Sequence, residues 1–267
     1  MFYKPQSKET GLMWDTWLYW HEGTYFLFYL AKPKSDGQWD NVSLATSDNG
    51  VHWKEQGAIL AKRPDAVWMG TGSTWASPNF ERDGKFFINF SEWRGDQQTI
   101  FFGESTDLIR WTRLEDELEL KPDARWYNVD QGGDSRWDCI FTTPSDEGGL
   151  WGYWTATPSA HYGVGFGRSD DGIAWEALEP PKIEPPLQHR CQHGAVARIG
   201  DTYYHMLNLN HGGMYTYLAE RPQGPLRRAE KNAALLTSGD DASFAGARYT
   251  YFARFFHAPD GLLVNHH

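Results

Sequence analysis

Long apolar runs and cysteines are both scarce in this chain of 267 residues. No stretch approaches the roughly 20 consecutive apolar residues of a membrane-spanning helix, and the N-terminus lacks the apolar segment of a secretory signal peptide. The two cysteines, Cys139 and Cys191, are too few for a disulfide framework and have no zinc-type spacing. We therefore expect a soluble, cytoplasmic protein with two buried free thiols, or a secreted one if an export signal was removed.

Basic residues are also in short supply, with 25 Lys and Arg against 35 Asp and Glu and a net charge of −10. Nucleic acids and anionic membranes are bound through basic patches, so this balance argues against both as partners. The sequence has no Gly-rich phosphate loop before a helix and no Gly-x-Ser-x-Gly elbow. These absences argue against nucleotide binding and serine hydrolysis.

Aromatic residues are abundant, with 14 Trp, 13 Tyr and 15 Phe. Aromatic side chains favour β-strands, and their ring faces also suit the C–H faces of sugars. Helical periodicity is nearly absent, and we expect no long helix. The composition therefore predicts an all-β protein and is compatible with a carbohydrate ligand.

Two turn signals recur through the chain. The first is a Ser followed six residues later by Trp, with Asp, Asn, Gly or Leu between them, at 47–53, 105–111 and 169–175. The second is a hairpin turn before an apolar strand, at residues 22–23, 83–84, 148–149, 200–201 and 260–261. Five units at spacings of roughly 50 to 60 residues predict a five-bladed β-propeller of four-stranded antiparallel blades. The alternative, a pair of β-sandwiches, does not predict the regular Ser–Trp turns.

We interpret residues 1–267 as a single propeller domain whose fifth blade is incomplete. Only two strands of that blade are visible, around the turn at residues 260–261. Either Phe2-Tyr3 adds an outer strand to it, or the sequence is a fragment that continues beyond His267. The Pro pairs at 180–181 and 185–186 are typical of a connection between blades.

Two aspartates stand at the heads of predicted inner strands, which line the axis of a propeller. Asp15 follows Trp14 in the first unit, and Asp138 follows Arg136-Trp137 in the third. A pair of carboxylates that converges on one cavity suits the cleavage of a glycosidic bond. The alternative is that each aspartate only caps a strand or a turn.

Several motifs together resemble the five-bladed propellers of glycoside hydrolase families 32 and 43, which include β-fructosidases, arabinofuranosidases and xylosidases. They are residues 11–15 leading into 25–29, residues 73–78 with 83–87, residues 136–138, and residues 252–256 with 260–261. Residues 136–138 are similar to the Arg-Asp-Pro motif of family 32, with a Trp inserted and the Pro missing. The resemblance covers nearly the whole chain, although each motif is loose.

The resemblance implies roles for both aspartates and for a third residue. Asp15 would be the nucleophile of a retaining enzyme or the base of an inverting one, and Asp138 would stabilise the transition state or modulate a pKa. The families also place a Glu general acid at the head of blade four, where this sequence has Gln192. An amide does not titrate in the useful range and cannot act as that acid.

Three explanations of Gln192 stay open. The glutamine is an engineered replacement that traps uncleaved substrate, or His193 is the acid because imidazole titrates near neutrality. Otherwise the site has lost its acid, or Glu184 reaches in from the preceding loop. The expected function is hydrolysis of a small furanosidic or pyranosidic sugar, such as a β-fructofuranoside or arabinofuranoside.

Further residues are candidates for contact with a glycoside or oligosaccharide substrate. They are Trp14, Ser73, Trp75, Glu92, Arg136 and Trp137. We expect His205 and His211 to be core or surface histidines. No compact set of metal ligands and no cofactor motif is present, although the resemblance leaves room for a structural ion on the axis. Two other functions compete with hydrolysis: a carbohydrate-binding or regulatory propeller with a degenerate site, and a protein-interaction propeller.

Overall fold

The structure is a computed structural model that describes residues 3–7, 10–32, 37–129, 136–209, 213–231, 234–236 and 252–266. Almost all regular structure in these residues is β-strand. The helices are a single turn at Phe80–Asp83 (α1) and a 3-10 turn at Asp116–Leu118. The prediction of an all-β fold without a long helix is confirmed. In the described part of the chain, no helix is long and apolar enough to span a membrane.

The strands form five sheets in chain order. Blade one contains β1 (Leu12–His21), β2 (Thr24–Lys32), β3 (Asn41–Ser47) and β4 (Lys54–Ala61). Blade two contains β5 (Ala66–Gly70), β6 (Thr74–Ala76), β7 (Phe86–Arg94), β8 (Gln97–Ser105) and β9 (Thr112–Arg113). Blade three contains β10 (Trp137–Pro144), β11 (Leu150–Ala156), β12 (Val164–Ser169) and β13 (Glu176–Ala177).

Blade four contains β14 (Ile183–Glu184), β15 (Gln192–Ile199), β16 (Thr202–Asn208), β17 (Met214–Ala219), β18 (Leu226–Arg228) and β19 (Ala234–Leu236). The fifth sheet contains β20 (Ala253–Ala258) and β21 (Gly261–His266), and β20 packs against both β1 and β15. The sheets therefore form the ring that the repeats predict, and the propeller-like fold is confirmed. The segment between the two Pro pairs is part of the connection between blades, and it adds β14 as a parallel outer strand of blade four.

The Ser–Trp turns have one geometry in all three blades where the sequence predicts them. In the first, the Ser47 hydroxyl accepts a hydrogen bond from the Gly50 amide at 2.8 Å. Asn49 Oδ1 accepts two more from the next two amides, at 2.9 Å each. Ser105 with Asp107, and Ser169 with Asp171, repeat these contacts. Short polar side chains thus satisfy the backbone of each turn, as their local bonding preference predicts.

Aromatic and aliphatic side chains fill the spaces between neighbouring blades. Trp17 stacks on Phe28 at a centroid distance of 5.5 Å, and the Trp17 indole N–H donates to Thr74 of the next blade at 3.0 Å. Trp175, at the end of the third Ser–Trp turn, meets Trp75 of blade two edge-on. Both cysteines are buried and free, as the sequence predicts.

The inner strands share one irregularity that positions the site. In blades one to four each is interrupted near its start by a bulge or break in register, where extra residues stand opposite the second strand of the blade. The interruptions lie at residues 15–16 in β1, 71–73 between β5 and β6, 139–140 in β10, and 194 in β15. A bulge re-aims side chains and leaves backbone groups unpaired. The inner strands surround the central channel of the propeller. Polar side chains beside the bulges are therefore required to bond these backbone groups.

Candidate active site

Asp15 lies in the bulge of β1 and has a left-handed backbone, with a φ of 48°. A non-glycine residue rarely adopts this conformation and keeps it only when its surroundings hold it in place. Arg254 supplies that support from β20, because its Nη1 donates to the carbonyl of Asp15 at 3.2 Å and to that of Thr16 at 2.5 Å. Thr71 Oγ1 also donates to the Asp15 carbonyl, at 3.4 Å. The backbone of Asp15 is thus clamped by blades two and five.

The Arg254 side chain is only 2% exposed. Its Nη2 donates to Thr71 Oγ1 at 2.7 Å, and its guanidinium lies over the rings of Phe252, Trp17 and Phe141 at 4.9 to 5.8 Å. Within the described residues it forms no ion pair with a carboxylate. The arginine is a cation that binds backbone oxygens on the channel axis.

Asp138 is 4% exposed and accepts hydrogen bonds on both oxygens. Ser91 Oγ donates to Oδ1 at 2.6 Å, and Arg136 Nη2 donates to Oδ2 at 2.9 Å. Gln98 supports Ser91 with a hydrogen bond at 2.9 Å. A Cβ on Gly70 would collide with Ser91 Oγ and lie 3.0 Å from Asp138 Oδ1. Only glycine therefore leaves room for this arrangement.

The bulge of β10 is held from blade two. Asn89 accepts a hydrogen bond from the Ile140 amide at 3.0 Å and donates to the Ile140 carbonyl at 3.1 Å. The Ser73 hydroxyl also donates to that carbonyl, and it accepts from Asn89 Nδ2 at 3.0 Å. Ser73, predicted to contact substrate, is thus a buried bridge between the blades that keeps Asp138 in register.

The charges of the two aspartates both act on one buried side chain, the thiol of Cys139. Burial raises the pKa of the Cys139 thiol well above its usual range; the charge of Arg254 opposes this, and those of Asp138 and Asp15 add to it. Both carboxylates and the guanidinium are thus within electrostatic reach of the same sulfur.

Gln192 is the first residue of β15 and pairs with Asn208 in the second strand of blade four. Its side chain is partly exposed. It lies at the same end of its inner strand as Asp138 does in β10. We call this end, at the starts of β1, β10 and β15, the acidic end of the channel. Gln192 contributes an amide there, in the position where the family resemblance implies a carboxylic acid.

His193 is 0% exposed. Its ring lies between Phe141 and Tyr153, and its Nε2 is 3.2 Å from Nδ1 of His205, which is also fully buried. Burial, followed by the neighbouring His205, holds the pKa of His193 well below its usual value. A neutral, enclosed imidazole cannot protonate a substrate, so this geometry argues against His193 as the general acid. His205 is the core histidine that we expected, and His211 lies outside the described residues.

Glu184 is also remote from the acidic end. It lies on β14, at the outer edge of blade four, four strand spacings or about 19 Å from β15. Its carboxylate accepts a hydrogen bond from Arg227 at 3.1 Å. The geometry therefore argues against Glu184 as a substitute acid.

The remaining predicted contact residues divide by exposure. Trp14 is 43% exposed at the acidic end, and Arg136 is partly exposed beside Asp138. Trp75 and Trp137 are buried and donate their indole N–H groups to the carbonyls of Gly172 and Leu120. Their rings pack between blades, and this geometry argues against a substrate contact by either.

Glu92 is 0% exposed and takes part in a different network. Arg113 binds both of its carboxylate oxygens, at 2.7 and 3.0 Å, and the Arg63 amide donates to one of them. A bidentate pair of this kind is costly to break inside a protein. The role of Glu92 in this structure is to hold blade two together, which argues against its predicted place on the substrate rim.

A cavity with a volume of about 980 Å³ lies at the other end of the channel. It is lined by the later halves of the inner strands, at residues 17–20, 74–78, 141–145, 195–198 and 254–258. Arg254 borders this cavity and also binds the bulge of Asp15. The two aspartates are not among the residues that line this cavity.

The side chains that the structure describes offer few ligands for a structural ion on the axis. Among the described residues, no three His, Cys, Asp or Glu side chains are grouped as metal ligands. The carbonyls of Asp15 and Thr16, which face inward and are suitable ligands for a cation, are bonded by Arg254. These residues do not fit a metal ion.

The residues that position the aspartates were not predicted from the sequence. They are Thr71, Asn89, Ser91, Gln98 and Arg254. Their signal was weak: polar residues within otherwise apolar strand segments, which only a partner in another blade explains.

Comparison with solved structures reveals a shared fold. A levansucrase complexed with sucrose superposes with a TM-score of 0.73 at 14% identity, over 99% of this chain and 81% of that one. A thermostable family-43 glycoside hydrolase gives 0.68 at 17% identity, over 96% and 83%. The exo-inulinase of Aspergillus awamori gives 0.65 at 17% identity, over 95% and 56%.

No family model and no curated protein matches the sequence. The TM-scores establish a common fold, whereas at identities this low the activity has to be argued from the side chains of this chain. The propeller-like fold implied by the resemblance to families 32 and 43 is confirmed: this chain is similar in structure to a family-43 glycoside hydrolase, a levansucrase and an exo-inulinase.

Proposed function

We propose that this chain is a glycoside hydrolase that cleaves a small furanosidic or pyranosidic sugar at the acidic end of the channel. The observation that carries the proposal is that Asp15 and Asp138, at the bulges of two inner strands, are each held in place by buried polar groups from other blades. The similarity in fold to a levansucrase complexed with sucrose and to an exo-inulinase makes β-fructofuranosides the first substrates to test.

Asp15 is the better placed of the two carboxylates to act on the anomeric carbon. It is partly exposed beside Trp14, whereas its backbone is fixed by Arg254 and Thr71. A carboxylate so placed attacks the carbon directly in a retaining enzyme, or activates a water in an inverting one. The rigid bulge keeps the carboxylate aimed during this step.

Asp138 acts as a fixed negative charge. The donors Ser91 and Arg136 hold its carboxylate in a buried site, so it does not reorient as positive charge develops on the sugar ring. Preorganised charge of this kind stabilises an oxocarbenium-like transition state. The same two hydrogen bonds leave Asp138 poorly suited to attack.

Gln192 occupies the position where the site lacks a proton donor. Its amide can donate a hydrogen bond to a leaving-group oxygen but cannot transfer a proton to it. Cleavage should therefore depend strongly on how well the leaving group departs without protonation. Glycosyl fluorides, whose leaving group is fluoride, are the substrates that bypass the missing acid.

A second function, carbohydrate binding without turnover, is favoured by the same amide. A propeller that keeps the two aspartates and lacks a proton donor would hold a sugar and release it uncleaved. The protein-interaction alternative has no comparable support, because it gives no role to two aspartates held at one end of the channel.

A fluoride-release assay separates hydrolysis from binding. The purified chain is incubated with β-fructofuranosyl, α-arabinofuranosyl and β-xylosyl fluorides, with Asp15→Asn and Asp138→Asn as controls. We expect release from at least one fluoride above the spontaneous rate, and a loss of about 100-fold or more in each variant. If none of the three is cleaved, but a sugar still binds in calorimetry, the chain is a binding propeller and the hydrolase proposal fails.

A further inference from the structure

Two tryptophans of blade two form a stacked pair that no role above accounts for. Trp68 on β5 stands directly opposite Trp93 on β7, with ring centroids 5.9 Å apart and an interplanar angle of 20°. Both rings remain partly exposed. The Trp93 indole N–H donates to the Gly95 carbonyl at 3.1 Å. That of Trp68 forms no hydrogen bond to any residue that the structure describes, and it is available to a ligand.

Gly70 connects this pair to the candidate active site. Residues 68 and 70 lie two apart on one strand and face the same side, about 6.6 Å along it. A Cβ placed on Gly70 would be 3.0 Å from Asp138 Oδ1 and 3.1 Å from Cζ3 of Trp68. The edge of the Trp68 ring and the carboxylate of Asp138 therefore flank the same glycine.

Arg136 supplies a polar group to this neighbourhood. Its guanidinium bonds Asp138 at 2.9 Å, and its side chain is 39% exposed. A partly exposed aromatic face beside a charged donor is the combination that sugar sites use: the ring covers the C–H face of a pyranose or furanose, and the donor binds a hydroxyl. Packing alone would also stack two cross-strand tryptophans. A role in packing and a role in sugar binding differ in one respect: only the second makes affinity depend on the length of the sugar.

We propose that the Trp68–Trp93 pair is a platform for a second sugar ring, adjacent to the ring held by Asp15 and Asp138. The position of the first ring rests on the proposed function. The ligand class is an oligosaccharide of at least two units, and the platform contributes to binding without taking part in bond cleavage. A platform of this kind would favour longer glycosides over single sugars.

Calorimetric titration tests the platform without requiring turnover. The probes are fructose, sucrose and the fructo-trisaccharide kestose, with xylose and xylotriose as a second series. Trp68→Ala and Trp93→Ala remove the platform. Trp68→Phe keeps an aromatic face if the alanine variants fail to fold. Trp20→Ala is the matched control, because Trp20 is a partly exposed tryptophan on the cavity at the opposite end of the channel.

For the series that binds, we expect Kd for the longest sugar to rise about 10-fold in the alanine variants and about 3-fold in Trp68→Phe. Kd for the single sugar, and all values for Trp20→Ala, should change less than 2-fold. Equal losses for single and longer sugars would show that the pair only supports the fold, and failure of all five probes to bind the unmodified chain would also overturn the platform.

The fluoride assay keeps the two proposals apart. A glycosyl fluoride has one sugar ring, and its leaving group is a single atom that does not reach the platform. Trp68→Ala should therefore retain the rate of fluoride release, whereas Asp15→Asn should lose it. Absence of fluoride release together with length-dependent binding would refute hydrolysis and retain the platform. Release that falls equally in Trp68→Ala and Asp15→Asn would assign Trp68 to the reacting ring and refute the platform.

Discussion

Arg254 and Asp15 are 239 residues apart in the chain, and the guanidinium of one donates a hydrogen bond to the carbonyl of the other at 3.2 Å. The contact joins the fifth sheet to the first and stabilises a backbone conformation that aspartate seldom adopts. Because Arg254 binds the backbone of Asp15, it acts on the reaction by positioning the carboxylate.

Replacement of Arg254 should therefore lower turnover more than it weakens sugar binding. In Arg254→Ala we expect kcat for the best glycosyl fluoride to fall about 100-fold, with a change in KM of less than 3-fold, because the bulge loses both carbonyl contacts. Added guanidinium chloride at low millimolar concentration should restore part of the rate. Arg254→Lys, with one donor centre and no planar fork, should remain impaired. A purely structural role would show instead as a lowered unfolding midpoint with kcat unchanged in the folded fraction.

Gly70→Ala should disturb Asp138 directly. The added methyl group would collide with Ser91 Oγ and press on Asp138 Oδ1, so the carboxylate must shift from its hydrogen bonds. We expect a loss of about 10-fold or more in kcat and a decrease of about 1–3 kcal/mol in the free energy of unfolding, measured in urea.

The matched control is Gly163→Ala, where the atoms nearest to the new Cβ, in Pro158 and His161, would be 3.3 Å away or more. That variant should keep its activity. Full activity in Gly70→Ala would contradict the placement of Asp138 in the mechanism.

Gln192→Glu should supply the missing proton donor. Alkyl and sugar glycosides, whose leaving groups need protonation, should be cleaved about 100-fold faster or more, whereas glycosyl fluorides should gain little. The pH profile for the poor leaving groups should also acquire a fall at high pH, where the new acid is ionised.

Gln188→Glu is the control for this experiment, since it makes the same charge change at an exposed position in the preceding loop. An equal gain in both variants, or none in either, would show that residue 192 is not the position of the acid.

The buried pair of His193 and His205 should make folding stability sensitive to pH. Burial lowers the pKa of His205 to about 3 and places that of His193 well below its ordinary value. Between these folded values and the unfolded value near 6.5, the unfolded chain binds more protons, so the free energy of unfolding falls as pH decreases through this window and is level above it.

From pH 7 to pH 5 the expected loss is about 2 kcal/mol for His205 alone, measured by urea unfolding. The double variant His193→Leu with His205→Leu removes both groups, and its stability should vary less with pH. His52→Gln, an exposed histidine, should behave like the unmodified chain. Stability independent of pH between 7 and 5 would contradict the buried, neutral pair.

The repeated turns show how much of the fold was predictable. Ser47, Ser105 and Ser169 bind amides two or three residues along, so their conformation depends on side chains that are adjacent in sequence. Local chemistry of this kind, repeated at near-constant spacing, predicted both the blade boundaries and the all-β class. The positions of Asp15 and Asp138 at the starts of inner strands followed from the same repeats.

The contact residues were predictable only in part, because exposure depends on the packing of neighbouring blades. Trp75 and Trp137 have the sequence context of a sugar platform, yet both are buried against residues of other blades or loops. Trp68 has an unremarkable context and remains partly exposed beside Asp138. Alternation along a strand distinguishes its two faces, but it does not say which face a neighbouring sheet covers.

The amino-acid sequence by itself determined the strands, their turns and the two carboxylates, since each depends on residues close together in the chain. Tertiary structure decided which side chains hold those carboxylates and which histidine and glutamate are excluded from the site. Arg254, Asn89 and Ser91 reach the inner bulges from other blades, over separations of 47 to 239 residues. Unpaired backbone and carboxylate groups in a closed channel must be satisfied from whichever blade lies alongside, and only the assembled ring brings those blades together.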